Sequence, residues 1–345
     1  MILMNNALIK RTFGSKFTDH MFVMEWQNDK GWHNARIQPY GELTLDPASV
    51  GLHYGQEIFD GQKAFRTVNQ DIVLFRSVDS FTRLNKSAEI MNMPKIDVDH
   101  VLSWLKKLVA LDALWIPNER GTSLYIRPTM IATENTLDVK SSSRYLFFII
   151  LSPVGAFFQN GYSPVSILVA DKHTRVAAGG VGRAKTAGNY GAAMRMQREA
   201  ELFDCDEVLW LDPLERKYIQ EVGVMNLFCV INNKLVTPSL TDSMIDGIIR
   251  KSIITLCAQM GIPVEERPIA LQEVLDGIQT GTVQEMFGSG TAVVITPVGT
   301  LRYKDKIYTI NNNQIGVIAQ KMFQALTDVQ YGICVDSNQW LEKVL

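Results

Sequence analysis

The sequence is poor in the residues that staple or metallate a fold. Four cysteines, Cys205, Cys229, Cys257 and Cys334, are spread over 345 residues. None is spaced as a CxxC pair, and they are too few for a disulfide framework. Five histidines lie scattered, with no HExxH or similar grouping, so no structural or catalytic metal is expected. Charge of one sign is missing too. Thirty-four Lys and Arg against 36 Asp and Glu leave a formal net charge of −2, without a block of like charge. That removes the electrostatic footprint of a nucleic-acid or membrane-surface binder. Long apolar runs are also absent. The longest, residues 145–151, is far short of a bilayer span and reads as a central strand. The first residues show no charged leader followed by an apolar core and a small-residue cleavage site. A cytoplasmic protein with free thiols is the expectation.

What is present is the make-up of an ordinary soluble globular protein, 46% hydrophobic and 20% charged. The length suggests two domains. Residues 98–111 carry apolar positions 101, 102, 105, 108 and 109, the spacing of an amphipathic helix. Residues 77–93 read as another, capped by Ser77 or Asp79 and ended by Pro94. Strands are expected at 21–26, 35–39, 72–76, 123–129, 144–151, 164–170, 207–211, 218–222, 227–232 and 234–237, the last two joined by an Asn232-Asn233 turn. Further helices are expected at 191–203, 248–260, 271–277 and 314–326. Strands 284–287 and 293–296 flank a glycine loop. Strands and helices mixed in this way argue an α/β (mixed α+β) fold. A first domain is placed at 1–155, an interdomain loop at 156–163 and a second domain at 164–345.

One lysine stands out by its surroundings. Gly179-Gly180-Val181-Gly182-Arg183-Ala184-Lys185-Thr186-Ala187-Gly188-Asn189-Tyr190 is a glycine loop between a buried strand and a helix. A lysine placed among small residues can be approached closely by a ligand and partly desolvated. From composition alone, an exposed lysine on a flexible loop is the commoner case, since most lysines are simply solvated. No stretch matches GxGxxG followed by an acidic residue, or GxxxxGK[ST], which weighs against a Rossmann site and a P-loop. Asp246-Gly247-Ile248-Ile249-Arg250 has the form of a loop feeding a helix start, where backbone N–H groups bind phosphate. Lysine and phosphate site together point to a phosphorylated aldehyde held as a Schiff base.

Residues 221–250 make that reading specific. Glu221, Asn226-Leu227-Phe228, Leu235-Val236-Thr237 and Ile245-Asp246-Gly247-Ile248-Ile249-Arg250 resemble the signature of the class IV pyridoxal-phosphate aminotransferases. Thr12-Phe13-Gly14, 17–21 (FTDHM), 52–61 (LHYGQEIFDG), 63–66 (KAFR), 125–129 (YIRPT), 152–155 (SPVG), Lys185 with Asn189-Tyr190, 285–292 (EMFGSGTA) and 327–332 (TDVQYG) resemble the branched-chain amino acid aminotransferases. The match runs from about Arg11 to Gly332.

The resemblance implies a fold-type-IV enzyme with a small N-terminal α/β domain, a larger C-terminal domain and pyridoxal 5′-phosphate between them. It implies a homodimer in which elements of the partner's small domain help close the pocket. Lys185 is then the Schiff-base lysine and the base that moves the substrate Cα proton. Glu221 faces the pyridine nitrogen and keeps it protonated. Tyr190 bonds the phenolic oxygen. Arg83 grips the phosphate with the N–H groups of Ile248 and Ile249 and the Thr291 hydroxyl. Thr291 and Ala292 also bind the substrate carboxylate. Phe13, Tyr54, Phe59, Tyr125 and Phe157 line the apolar side of the pocket, and Arg127 takes the glutamate γ-carboxylate, with Tyr54 a second candidate.

The implied reaction moves the amino group between L-leucine, L-isoleucine or L-valine and 2-oxoglutarate by a ping-pong route. A hydrophobic pocket separates such side chains poorly, so all three are expected to react. The alternatives are another class IV activity, such as D-amino acid transamination or aminodeoxychorismate lysis, and a non-catalytic cofactor-binding homologue. Residues 17–21 and 53–61 fit the branched-chain group better than the other class IV activities. The presence of Lys185, Tyr190 and Glu221 disfavours the non-catalytic homologue. Three departures from the family pattern stand out. Val224 replaces the threonine of vertebrate members, so a hydroxyl contact is lost. Val293 and Thr296 replace their CxxC, which excludes thiol redox control there. Ala187 replaces a glycine of the lysine loop, tolerable unless that residue needs positive φ.

Overall fold

The computed structural model describes residues 13–155 and 162–344. Phe157 therefore lies outside the described residues. The described chain divides into two compact units. One holds 13–155, Ala184–Ala187 and 328–344, and the other 162–183 and Gly188–Thr327. The sequence reading puts Lys185 and the C-terminal tail in the second domain, but both pack with the first unit.

In chain order the elements are β1 (His20–Gln27), β2 (Gly31–Pro39), α1 (Val50–Tyr54), β3 (Glu57–Phe59), β4 (Gln62–Arg66), β5 (Ile72–Phe75), α2 (Ser77–Ile90), α3 (Val98–Leu111), β6 (Ser123–Ala132) and β7 (Arg144–Val154). Then follow β8 (Val165–Ala170), α4 (Ala187–Gly191), α5 (Met194–Leu202), β9 (Glu207–Leu211), β10 (Ile219–Val222), β11 (Met225–Ile231), β12 (Lys234–Thr237), α6 (Ile248–Gln259), β13 (Val264–Glu266) and α7 (Leu271–Thr280). The last are β14 (Val283–Gly290), β15 (Val294–Tyr303), β16 (Lys306–Thr309), α8 (Val317–Gln330) and β17 (Leu341–Lys343).

The first unit is an antiparallel sheet in the order β17-β5-β4-β6-β7-β1-β2, with β3 also on β6. Helices α2 and α3 supply the apolar stripe that covers it. Leu84, Val101, Leu105 and Leu108 join Phe22, Ile126, Phe147 and Ile149 in one core, all fully buried. Each such side chain contributes roughly 1.5–3 kcal/mol through the water it sheds. The α3 stripe follows the expected helical spacing, and Asp97 caps it by accepting the His100 N–H. Helix α2 starts differently from expectation. Its N-cap is Arg76 in a left-handed conformation, with no side-chain cap bond, and Asp79 instead accepts from Arg76 Nε at 2.7 Å. Strands β6 and β7 pair without a break from Ser123↔Val154 to Ala132↔Tyr145. That long, regular ladder gives Tyr125 and Arg127 a rigid seat.

The second unit is built on a mixed sheet in the order β10-β9-β8-β15-β14-β11-β12-β13. Strand β10 also pairs with β11, so the ladder from β10 round to β11 closes on itself. The strands of that closed ring lack the exposed edges that invite aggregation, and β13 and β16 remain edge strands. Strand β8 runs parallel to β9 and β15, while the pairs around β11 and β14 are antiparallel, except that β12 and β13 run parallel. The expected Asn232-Asn233 turn is present, with both residues at positive φ (51° and 60°), as a two-residue hairpin of the primed type requires. Strands β3, β4, β13, β16 and β17 were not expected. They are three to five residues long, too short to carry a periodic signal.

Candidate active site

In the first unit the lysine segment is stitched onto β3. The Lys185 carbonyl accepts the Phe59 N–H at 3.0 Å. The Lys185 N–H donates to Ser87 Oγ at 3.0 Å, and the Thr186 hydroxyl donates to the Glu57 carbonyl at 2.7 Å. Main-chain anchoring on both sides fixes where the ammonium can reach. Nζ stands 5.0 Å from the Phe59 ring centroid, within cation–π range. Ala187 is not among the positive-φ residues, so the alanine in place of the family's glycine carries no backbone strain.

Two further arginines of this unit are held by polar partners. Arg83 makes a bidentate pair with Asp60, Nε to Oδ2 at 2.9 Å and Nη2 to Oδ1 at 2.6 Å, and Asp60 is fully buried. Arg127 donates to the Tyr125 hydroxyl at 3.1 Å. Its guanidinium carbon lies 4.7 Å from the Phe59 centroid and 5.3 Å from that of Tyr125. Phe13 meets Tyr125 edge-on at 4.9 Å. Gly61 is required beneath that ring, since a Cβ there would stand 2.0 Å from the Tyr125 hydroxyl. Phe13, Phe59, Tyr125 and Arg127 are thus brought together. Tyr54 is engaged elsewhere: its hydroxyl donates to the Leu137 carbonyl at 2.5 Å.

Lys63 and Ser152 are directly paired with Tyr125 across β4, β6 and β7, so they stand in the same row on one face. Lys63 is buried, and burial pushes its amine down to about 7.

In the second unit the organising residue is Glu221. Its Oε2 takes a 2.5 Å bond from Arg175 Nη2. Its Oε1 accepts from Asn226 Nδ2 and from the Ile245 N–H, each at 3.2 Å. Arg175 also donates to the Ser243 carbonyl. Glutamate and arginine are both buried, and a buried carboxylate persists only with such a counter-charge and donors. Arg175 was not foreseen, because its partner is 46 residues away in sequence. Asp60 was passed over for the same reason, its link to Arg83 being invisible to local patterns.

Asn226 also donates to the Ile245 carbonyl at 2.9 Å, and its Oδ1 presses on Gly247, where a Cβ would be 1.9 Å away. Gly247 is the N-cap of α6 and gives that helix no side-chain cap bond. The N–H groups of Ile248 and Ile249 open the helix there. On the neighbouring strand pair, Gly290↔Val294 closes a turn that carries Thr291 and Ala292. Val294 sits at φ 63°, a costly conformation for a β-branched residue and of the kind that marks functional turns. Tyr190 lies half-buried in α4. The row Glu221, Asn226, the α6 start and the 291–293 turn converge through β10, β11 and β14.

A protein-family model described as amino-transferase class IV matches residues 64–301. The chain is a class IV aminotransferase. The family is pyridoxal-phosphate-dependent. This class IV aminotransferase is 47% identical over 333 residues, 96% of its length and 92% of the relative's, to branched-chain-amino-acid aminotransferase 2 of Bacillus subtilis. It is 46% identical over 329 residues, 95% of its length and 92% of the relative's, to a probable branched-chain-amino-acid aminotransferase of Staphylococcus aureus. Its fold matches the crystal structure of the Escherichia coli branched-chain amino acid aminotransferase with a TM-score of 0.80 at 24% identity, covering 95% of this chain and all of that one. The fold-type-IV class is thereby established. Among the described residues, no helix is long and apolar enough to cross a membrane.

Proposed function

We propose that this class IV aminotransferase moves the amino group between L-leucine, L-isoleucine or L-valine and 2-oxoglutarate in two ping-pong halves, as a cytoplasmic homodimer using pyridoxal 5′-phosphate. The observation that carries the reading is the 47% identity over nearly the whole chain to a Bacillus subtilis enzyme named for this activity. The residues present fit a phosphorylated pyridine. A buried carboxylate is paired with Arg175, and α6 starts without a side-chain cap at a glycine whose Cβ would press on Asn226 Oδ1.

The cofactor, when bound, supplies an electron sink for the pair left on the substrate's Cα. Lys185 holds it at rest and moves the proton at Cα. Its main-chain bonds to Phe59 and Ser87 limit the paths its Nζ can take, which favours a single site of proton transfer. Glu221 supplies the negative charge that keeps a proton on a pyridine nitrogen, and Arg175 with the Ile245 N–H keeps Glu221 from turning away. Arg83, oriented by Asp60, and the N–H groups of Ile248 and Ile249 grip the phosphate, with the Thr291 hydroxyl. Tyr190 holds the phenolic oxygen. The turn at Thr291 and Ala292 binds the substrate carboxylate. Phe13, Phe59 and Tyr125, with Phe157, give the apolar side-chain pocket, and Arg127 takes the γ-carboxylate of glutamate.

The visible absorbance of the purified protein tests this. The cofactor band is expected to bleach with L-isoleucine, to persist with D-alanine and to be missing from Lys185→Ala. Bleaching by D-alanine alone would move the function to D-amino acid transamination. No band after adding pyridoxal 5′-phosphate would sink the enzyme reading.

A further inference from the structure

Ser289 of β14 stands directly opposite Asn226 of β11, and Asn226 stands opposite Glu221 of β10. Directly paired residues of an antiparallel ladder face the same side, so Glu221, Asn226 and Ser289 form one row. The first two are saturated. Glu221 takes bonds from Arg175, Asn226 and Ile245, and Asn226 divides its amide between Glu221 and the Ile245 carbonyl. Ser289 is not. It is 1% exposed, and its hydroxyl has no hydrogen-bond partner among the described residues.

A buried hydroxyl without a partner is a net cost to the fold, because the water it gave up is not replaced. The position does not demand a serine for shape. Glycine stands on both sides of it, at 288 and 290, and alanine would fill the same volume without the polar atom. The hydroxyl also sits one residue before Gly290, whose pairing with Val294 closes the Thr291–Ala292 turn. An orphaned group between the Glu221 carboxylate and that turn is placed to meet a ligand rather than the protein.

We infer that Ser289 is a further cofactor-binding residue, whose hydroxyl hydrogen-bonds the phosphorylated pyridine that Glu221 faces. The inference rests on the cofactor reading above. On that reading the cost borne by the cofactor-free fold is returned on binding, so the hydroxyl contributes to affinity and not to stability.

The test separates those two quantities. Ser289→Ala and wild type are freed of cofactor, and their thermal midpoints are compared. Each is then titrated by calorimetry with pyridoxamine 5′-phosphate, which cannot link to Lys185 and so reports non-covalent contacts alone. The expected result is a midpoint in Ser289→Ala that is equal or higher, with a Kd about tenfold weaker, the usual weight of one such hydrogen bond. An unchanged Kd would overturn the inference. So would a midpoint that falls together with affinity, because the hydroxyl would then be serving the fold. If wild type itself takes up no pyridoxamine 5′-phosphate, the cofactor reading fails first and the inference falls with it. The two failures are therefore distinguishable.

Discussion

Glu207 in β9 is 3% exposed, and burial pushes its carboxyl up to about 7, more than bonds from the Val208 amide and Gln197 pull it back. Its carboxyl packs against Gly223, where a Cβ would be 2.1 Å from Oε2 and φ is +55°. That glycine makes the turn just after Glu221, so a buried acid underlies the strand that carries Glu221. The folded value lies above the ordinary 4.5. The stability this group contributes is therefore full below about 4.5 and is lost as pH rises through about 7. Glu207→Gln keeps the shape without the ionisation. Its unfolding free energy, from urea titrations at pH 5 to 8, should fall less steeply than that of wild type, by up to about 1.4 kcal/mol per pH unit. Equal slopes would show that Glu207 does not titrate in this range. At this scale the sequence singled out Lys185, Glu221 and Arg83 because they carry a family motif. It was silent on Arg175, Asp60 and Glu207, whose importance comes from neighbours that only the fold supplies.

Helix α8 shows how an element can be started from another strand. The two carboxylate oxygens of Glu285, in β14, accept the N–H of Ile318 at 3.0 Å each, and Oε2 also takes the N–H of Ala319 at 3.1 Å. A carboxylate there satisfies orphan donors and sits well at the positive end of the helix. The approach is so close that a Cβ on Gly316 would be 2.1 Å from Oε2. Glu285→Ala should cost about 1–2 kcal/mol, read as a lower urea midpoint with an unchanged slope. An unaltered midpoint would mean solvent caps the helix equally well. The sequence pattern begins this helix at 314. The structure starts it at Val317, and just ahead of the expected start Asn311, Asn312 and Asn313 all turn left-handed, at φ 47°, 51° and 58°. Asparagine tolerates that conformation, so the triplet was a readable stop. The cap was not readable, since it comes from a distant strand. By contrast the span and stripe of α3 were legible from the sequence alone.

On the scale of the whole molecule, the C-terminal tail belongs to the first unit. Strand β17 pairs antiparallel with β5. Trp340 beside it is 7% exposed, meets Phe75 edge-on at 5.8 Å and lies 5.1 Å from the Arg76 guanidinium. Trp340→Ala should destabilise the protein by about 3 kcal/mol, the usual cost of emptying an aromatic site. A shift in the urea midpoint below about 1 kcal/mol would show that the tail is dispensable. The resemblance ends near Gly332 and gave no hint of this strand, because three residues of mixed character carry no period. The tail and the lysine segment together mean that the chain enters the first unit three separate times. In genetic terms, no contiguous stretch of coding sequence specifies either unit. A crossover within the gene that swapped everything after residue 160 would exchange the second unit's barrel. It would also carry away the first unit's lysine and its last strand, so the two units are heritable only together.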